Sequence, residues 1–186
     1  MMNKLNLQLT DGGDSKHSFF LMMEEISLTT VKAATEWILD ANFTEERPEM
    51  LNLIITSPGG DLNAAFALID VMRGSAIPVR TIGLGQIASA GLMIFIAGEK
   101  GQRILTPNTS ILSHQYSWGA IGKEHELFAQ IKEFDLTTKK VIDHYKRCTG
   151  LVDKKIREVL LPPQDVWLSP IEAKKLGLCD DVKDLK

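Results

Sequence analysis

The chain has 186 residues, 44% of them hydrophobic and 24% charged, which suits one globular domain with a sizeable core. Its net charge of -3 and pI near 5.8 exclude the basic footprint of a nucleic-acid binder. No apolar run approaches the ~20 residues of a membrane span.

Residues 1–17 are polar and glycine-containing, lack the apolar stretch of a signal peptide, and are expected to form a flexible arm ahead of a domain at 18–186. Ser18–Ile26 predicts a strand. Ser27 is an N-cap for a helix to about Asn42, with Val31, Ala34, Trp37, Ile38 and Ala41 on one stripe. A charged loop at Glu45–Glu49 leads to the buried-strand signal Leu51–Thr56. After the punctuation Ser57-Pro58-Gly59-Gly60 comes a helix over Leu62–Arg73, ended by Gly74 and Pro78. Val79–Leu84 predicts a strand and Ser89–Ala97 a helix. Arg103–Leu105 and Ser110–Leu112 predict short strands around Pro107-Asn108. This alternation argues for an α/β fold with parallel pairing.

Glu124–Arg147 carries Leu127, Phe128, Ile131, Phe134, Val141, Ile142 and Tyr145 at helical spacing and stops at Thr149-Gly150. A helix of roughly 35 Å is more than one small domain covers, so it is either a long core helix or one that projects onto another subunit. Lys154–Leu160, a short strand near Val166–Leu168 and a helix over Pro170–Leu176 close the domain. Cys148 and Cys179 have no motif around them and are expected to be free thiols in a reducing cytoplasm. His17, His125 and His144 have no ligand-spaced neighbours and read as surface or helix-face residues.

Three places carry chemistry. In Ser57–Gly60, glycines directly after a strand allow close backbone approach and free N–H groups. In Gln86–Gly91, Ser89 stands among small residues where a strand meets an apolar helix, whose N-terminal amides favour an oxyanion. By itself Ser89 is equally an N-cap, and Ile87 breaks the G-x-S-x-G pattern. In Ile111–Gln115, His114 ends an apolar strand, where it either faces a site or is a satisfied core or rim histidine.

In order, these segments resemble the Clp protease family of ring-forming serine peptidases: its SPGG turn, its A-S-x-G nucleophile context and its apolar-strand-His-Gln base context. The intervals of 29 residues from Gly60 to Ser89 and 25 from Ser89 to His114 also match. So do Ala97–Arg103 (A-G-x-K-G-x-R), Asp165-Val166-Trp167, and the ending Glu172-Ala173 through Leu176-Gly177-Leu178-Cys179-Asp180. The resemblance covers Leu51 to about Val182. It implies a ClpP/crotonase-type α/β fold of repeated β-β-α units with a protruding handle helix.

The resemblance also implies a cofactor-free and metal-free peptidase. Ser89 is then the nucleophile, His114 the base, Asp165 the residue that orients it, and the N–H groups of Gly60 and Ala90 the oxyanion hole. Substrate backbone is expected to pair with a strand near Tyr116–Gly119 opposite Gly60–Leu62, with Gly59, Gly60, Asp61, Leu62, Gln115, Tyr116, Ser117 and Trp118 as the substrate contacts. The implied partners are copies of the chain in a heptameric ring, able to stack as a double ring, an AAA+ unfoldase, and unfolded proteins or peptides. Departures are Tyr116, where the family usually has Pro, and Gln164, where it often has an Arg used between rings. Tyr116 and Trp118 either narrow the groove or pack between rings. Asp180 and Asp181, near Asp165, fall in the ending motif and read as structural. Two other readings are a regulatory subunit of a mixed ring, motivated by Tyr116 and Gln164, and a crotonase-type acyl-CoA enzyme, which the Ser89 and His114 contexts oppose.

Overall fold

The computed structural model describes residues 17–184. The expected arm lies outside the described residues apart from His17, which opens the first strand.

A seven-stranded sheet organises the chain: β1 (His17–Met22), β2 (Met50–Ser57), β3 (Val79–Ala88), β4 (Arg103–Leu105), β5 (Ser110–Ser113), β6 (Val166–Leu168) and β7 (Asp181–Val182). The order is β1-β2-β3-β4-β7, with β5 pairing β3 and β6. All pairs are parallel except β5–β6. Parallel strands need crossover connections, and α1 (Leu28–Phe43), α2 (Leu62–Gly74) and α3 (Ala90–Ile96) supply the first three. Leu51–Ile55 is buried throughout, as a strand covered on both faces must be. Ser27 caps α1 in a reciprocal pair with Thr30, and the Asp61 carboxylate caps α2 by accepting from the N–H groups of Asn63 and Ala64.

β3 runs to Ala88, four residues past the expected end. Its first half pairs β4 and its second half pairs β5. Gly85 lies between them at φ 60, and three residues of β3 bulge out opposite Thr56, whose hydroxyl donates to the Leu84 carbonyl at 2.8 Å. The bend turns one strand into two that serve different neighbours. It creates the β-β-α rhythm of the expected fold: two halves of β3 before α3, then β4 and β5 before α4 (Glu124–Thr149).

β1 ends at Met22, short of the expected Ile26. The chain leaves the sheet there, and Ile26 makes a lone parallel bridge to Gly60. The stretch expected around Lys154–Leu160 is the helix α5 (Asp153–Val159), and α6 (Pro170–Lys175) packs before β7. The family-like segments Ala97–Arg103 and Leu176–Asp180 meet as an ion pair. Buried Arg103 grips Asp180 with two bonds of 2.9 and 2.6 Å, and Asp180 also accepts the N–H groups of Gly101 and Arg103. Asp180 is thus structural, as expected, and Asp181 pairs with Lys174 and Lys183.

α4 has 26 residues. Its second half enters the core through Val141, Ile142, His144 and Tyr145, whereas Phe128, Ile131 and Leu136 on its first half are exposed. His144 is no surface residue. It is 2% exposed, its Nε2–H donates to the Met93 carbonyl at 2.8 Å, and its Nδ1 accepts from Arg73 at 2.7 Å. Loss of hydration lowers its pKa to about 4, the Met93 bond opposes this, and Arg73 and Arg147 add to it.

The unfolded chain therefore takes up a proton at His144 below its ordinary value of 6.5, and the folded chain does so only near 4. We expect urea-unfolding stability to fall by about 3 kcal/mol between pH 6.5 and 4 from this group, and His144→Gln to flatten that slope.

Candidate active site

Two strand registers bring the candidate residues together. β3 and β5 pair Gln86 with Ser110, Ile87 with Ile111 and Ala88 with Leu112. The next residues on these strands lead to Ser89 and His114. β5 and β6 pair Ser113 with Val166 in antiparallel register, so the following step sets His114 opposite Asp165. The spacing of the three side chains thus follows from one parallel and one antiparallel ladder.

Ser89 sits at φ 52, ψ -122, the only described non-glycine residue with positive φ. Such a conformation costs ~1–3 kcal/mol and persists only when its surroundings impose it. The Ser89 N–H donates to the Leu112 carbonyl at 3.0 Å, and the Ser89 carbonyl accepts from Leu92 and Met93. All seven residues of α3 are buried and fix the turn from the other side. The N-cap reading of this serine falls in one respect: its hydroxyl caps no backbone amide. It lies 2.8 Å from His114 Nε2 instead.

His114 Nδ1 is 3.9 Å from Asp165 Oδ1, too long for a hydrogen bond, and the Asp165 side chain is 65% exposed. The Ser–His half of the expected constellation is assembled, and Asp165 faces the imidazole without closing on it.

The glycines explain the SPGG turn. Ser57 Oγ accepts the Gly59 N–H at 3.1 Å. Gly59 has φ 104, and a Cβ there would stand 2.6 Å from Ser89 Cβ. Gly60 has φ 140, and a Cβ there would strike the Ile26 carbonyl. Ile26 donates to the Gly59 carbonyl at 2.7 Å and accepts from Asp61 at 2.8 Å, a parallel bridge that directs the Gly60 N–H away from Ile26. The Ala90 N–H, at the first position of α3, has no helical acceptor. Gly60 and Ala90 line a cleft of about 260 Å³ together with Ser89 and His114.

Of the expected substrate contacts, Gly60, Leu62, Tyr116 and Ser117 line this cleft. Gly59 sits behind Ser89, Asp61 is spent on capping α2, and Gln115 Nε2 donates to the Leu161 carbonyl at 2.9 Å. Trp118 packs against Phe134 with ring centres 5.0 Å apart and the rings tilted by 51°. The expected strand near Tyr116–Gly119 is not formed. Residues 114–121 are irregular, because Tyr116 and Trp118 draw the chain onto α4. Tyr116 donates its hydroxyl to the Phe134 carbonyl at 3.0 Å, and burial raises its pKa, so it remains a donor.

The apolar end of the cleft is formed by Met93, Val141, Tyr145 and Leu161. The helical pattern marked Val141 and Tyr145 as packing residues only, and Met93 and Leu161 carried no signal. The Tyr145 hydroxyl is buried against Ser113 Oγ at 2.8 Å, and Ser113 Oγ donates to the Leu160 carbonyl at 2.6 Å.

A serine hydroxyl 2.8 Å from an imidazole, in a cleft at the edge of an α/β sheet, is an arrangement that serine hydrolases use. The Clp protease family model matches residues 16–186. The chain is 36% identical over 147 residues to an ATP-dependent Clp protease proteolytic subunit of Deinococcus radiodurans, covering 79% of this chain and 70% of that protein. It is 37% identical to the chloroplastic proteolytic subunit 4 of Arabidopsis thaliana, covering 72% of this chain but 45% of that protein. The solved structure of a ClpP1 mutant from Listeria monocytogenes superposes with a TM-score of 0.78 at 25% identity, covering 90% of this chain and 94% of that one. The chain belongs to the Clp protease family, and its mixed α/β fold with the long α4 is the fold of ClpP.

Gly59→Ala places a methyl against Ser89 at a backbone angle that alanine rarely adopts. We expect it to lower stability by about 1–3 kcal/mol in urea unfolding. The exposed Gly101→Ala, also at positive φ but with open space at its Cβ, separates the backbone cost from the collision with Ser89.

Proposed function

We propose that this chain is a serine endopeptidase in which Ser89 is the nucleophile and His114 the general base. The observation that carries the reading is the 2.8 Å contact between Ser89 Oγ and His114 Nε2, made by a hydroxyl that its strained backbone releases from capping. His114 Nε2 takes the Ser89 proton as Oγ attacks the scissile carbonyl. The Gly60 and Ala90 amides receive the oxyanion, and the protonated imidazole then hands its proton to the leaving amine. Water, activated by the same imidazole, hydrolyses the acyl-enzyme. Asp165 orients the imidazole after moving inward by about 1 Å, the difference between its present separation and a hydrogen bond.

The working form is an oligomeric ring, with substrates delivered unfolded by an ATP-dependent partner of the AAA+ type. The exposed Phe128, Ile131 and Leu136 on α4 support burial against a second copy. The relatives' name, ATP-dependent Clp protease proteolytic subunit, supports the partner class. Free Cys148 and Cys179 suit a reducing cytoplasm.

The open Asp165 favours a second reading, a weak or regulatory subunit of a mixed ring. Labelling with a fluorophosphonate, followed by native mass spectrometry, separates the two. The peptidase reading expects label on Ser89 of the homo-oligomer. It also expects peptide cleavage that Ser89→Ala or His114→Ala reduces by about 10⁶-fold. Undiminished cleavage by Ser89→Ala refutes it. Wild-type protein that neither labels nor cleaves, yet changes a partner ring's activity, establishes the regulatory reading.

For Asp165→Asn we expect a kcat loss of about 10²-fold, less than the ~10⁴-fold of a buried triad aspartate, because this carboxylate is exposed and unbonded to the ring. Single-turnover acylation measures it directly.

A further inference from the structure

Next to the candidate cleft lies a second cavity of about 190 Å³, lined beyond the shared residues by Phe134, Thr138 and Ile142 of α4 and by Gln115 and Arg157. The two cavities share Tyr116, Val141 and Leu161 as lining residues. Val141 and Leu161 belong to the packed body of the domain. Tyr116 stands on the irregular segment 114–121 and is the aromatic side chain common to both spaces.

Tyr116 and Tyr145 differ in how they are held. Tyr145 is 1% exposed, and its hydroxyl is locked to Ser113, so it is a permanent floor. Tyr116 is half-buried, and three contacts hold it: its hydroxyl to the Phe134 carbonyl at 3.0 Å, its hydroxyl to Thr138 Oγ1 at 3.2 Å, and its ring on Phe134 at 5.5 Å. All three attach it to one helix, and none attaches it to Ser89 or His114.

We propose that Tyr116 is the specificity-determining partition of the candidate cleft. Pinned to α4, it sets the largest apolar side chain that the residue bearing the scissile carbonyl can carry, and it closes off the second cavity. This rests on the peptidase reading. Removing the ring is expected to connect the second cavity, of about 190 Å³, with the cleft and so to enlarge the room for that side chain. Each methylene admitted to or excluded from an apolar pocket changes kcat/KM by ~10–200-fold. The hydroxyl contributes position, and the ring contributes the barrier.

The test uses the full-length chain and peptidyl coumarin substrates that differ only in the residue before the scissile bond: alanine, leucine, phenylalanine and homophenylalanine. We expect Tyr116→Ala to raise the homophenylalanine-to-leucine ratio of kcat/KM by about tenfold or more. Tyr116→Phe, which keeps the ring, should leave that ratio within about threefold of wild type, a change worth less than one methylene. Adding Thr138→Phe to Tyr116→Ala refills the second cavity and should return the ratio toward wild type, which a merely structural role for Tyr116 does not predict. An unchanged ratio in Tyr116→Ala, with Ser89 still labelled by fluorophosphonate, overturns the partition and leaves the peptidase reading intact. Wild-type protein without label at Ser89 overturns the peptidase reading, and the partition falls with it.

Discussion

The hydrogen bond from the Ser89 N–H to the Leu112 carbonyl holds a strained backbone angle at the one place where strain is useful. Without that bond nothing on the strand side would keep Ser89 at φ 52, and the hydroxyl would be free to relax into the ordinary cap of α3. The bond exists because β3 does not stop at Leu84. Gly85 lets the strand bend, and its second half finds β5 instead of β4. One glycine in the left-handed region, a change of neighbour, a pinned amide and a redirected hydroxyl form a single causal sequence. The glycines of the SPGG turn complete it by letting a second backbone approach Ser89 from behind.

Much of this was legible in the sequence, for particular reasons. Buried parallel strands are continuous apolar runs, so Leu51–Thr56 stood out. Ser27 and Asp61 are residue types that cap helices, and both do so. The extension of β3 past the expected Leu84 was not legible, because the bend at Gly85 exchanges one partner strand for another, and that change of neighbour leaves no local pattern. β7 has two residues and owes its place to Arg103 and Asp180, a pairing 77 positions apart that no local pattern encodes.

The site was legible in its residue types and opaque in its walls. Ser89 and His114 were ambiguous one by one and were singled out by the order and spacing of the family-like motifs, and the ladders bring them together. The segment after His114 was expected as a strand, since the resemblance implied one. Its aromatic residues pack on α4 instead, and a period-two pattern carries no information about that preference. Burial of His144 was hidden for a related reason. A histidine on an apolar helix face looks the same whether it meets solvent or, as here, an arginine and a carbonyl from two other helices.

α4 belongs to two environments at once. From Thr137 onward one face of it is embedded, where Val141 and Tyr145 border the cleft and His144 is tied to α3, while its first turns carry exposed apolar residues and meet only the segment after His114. A continuous helix is stiff over such a length, about 39 Å at 1.5 Å per residue. One unbroken helix thus carries at one end the exposed Phe128, Ile131 and Leu136 and, further along, two of the side chains that line the cleft beside Ser89.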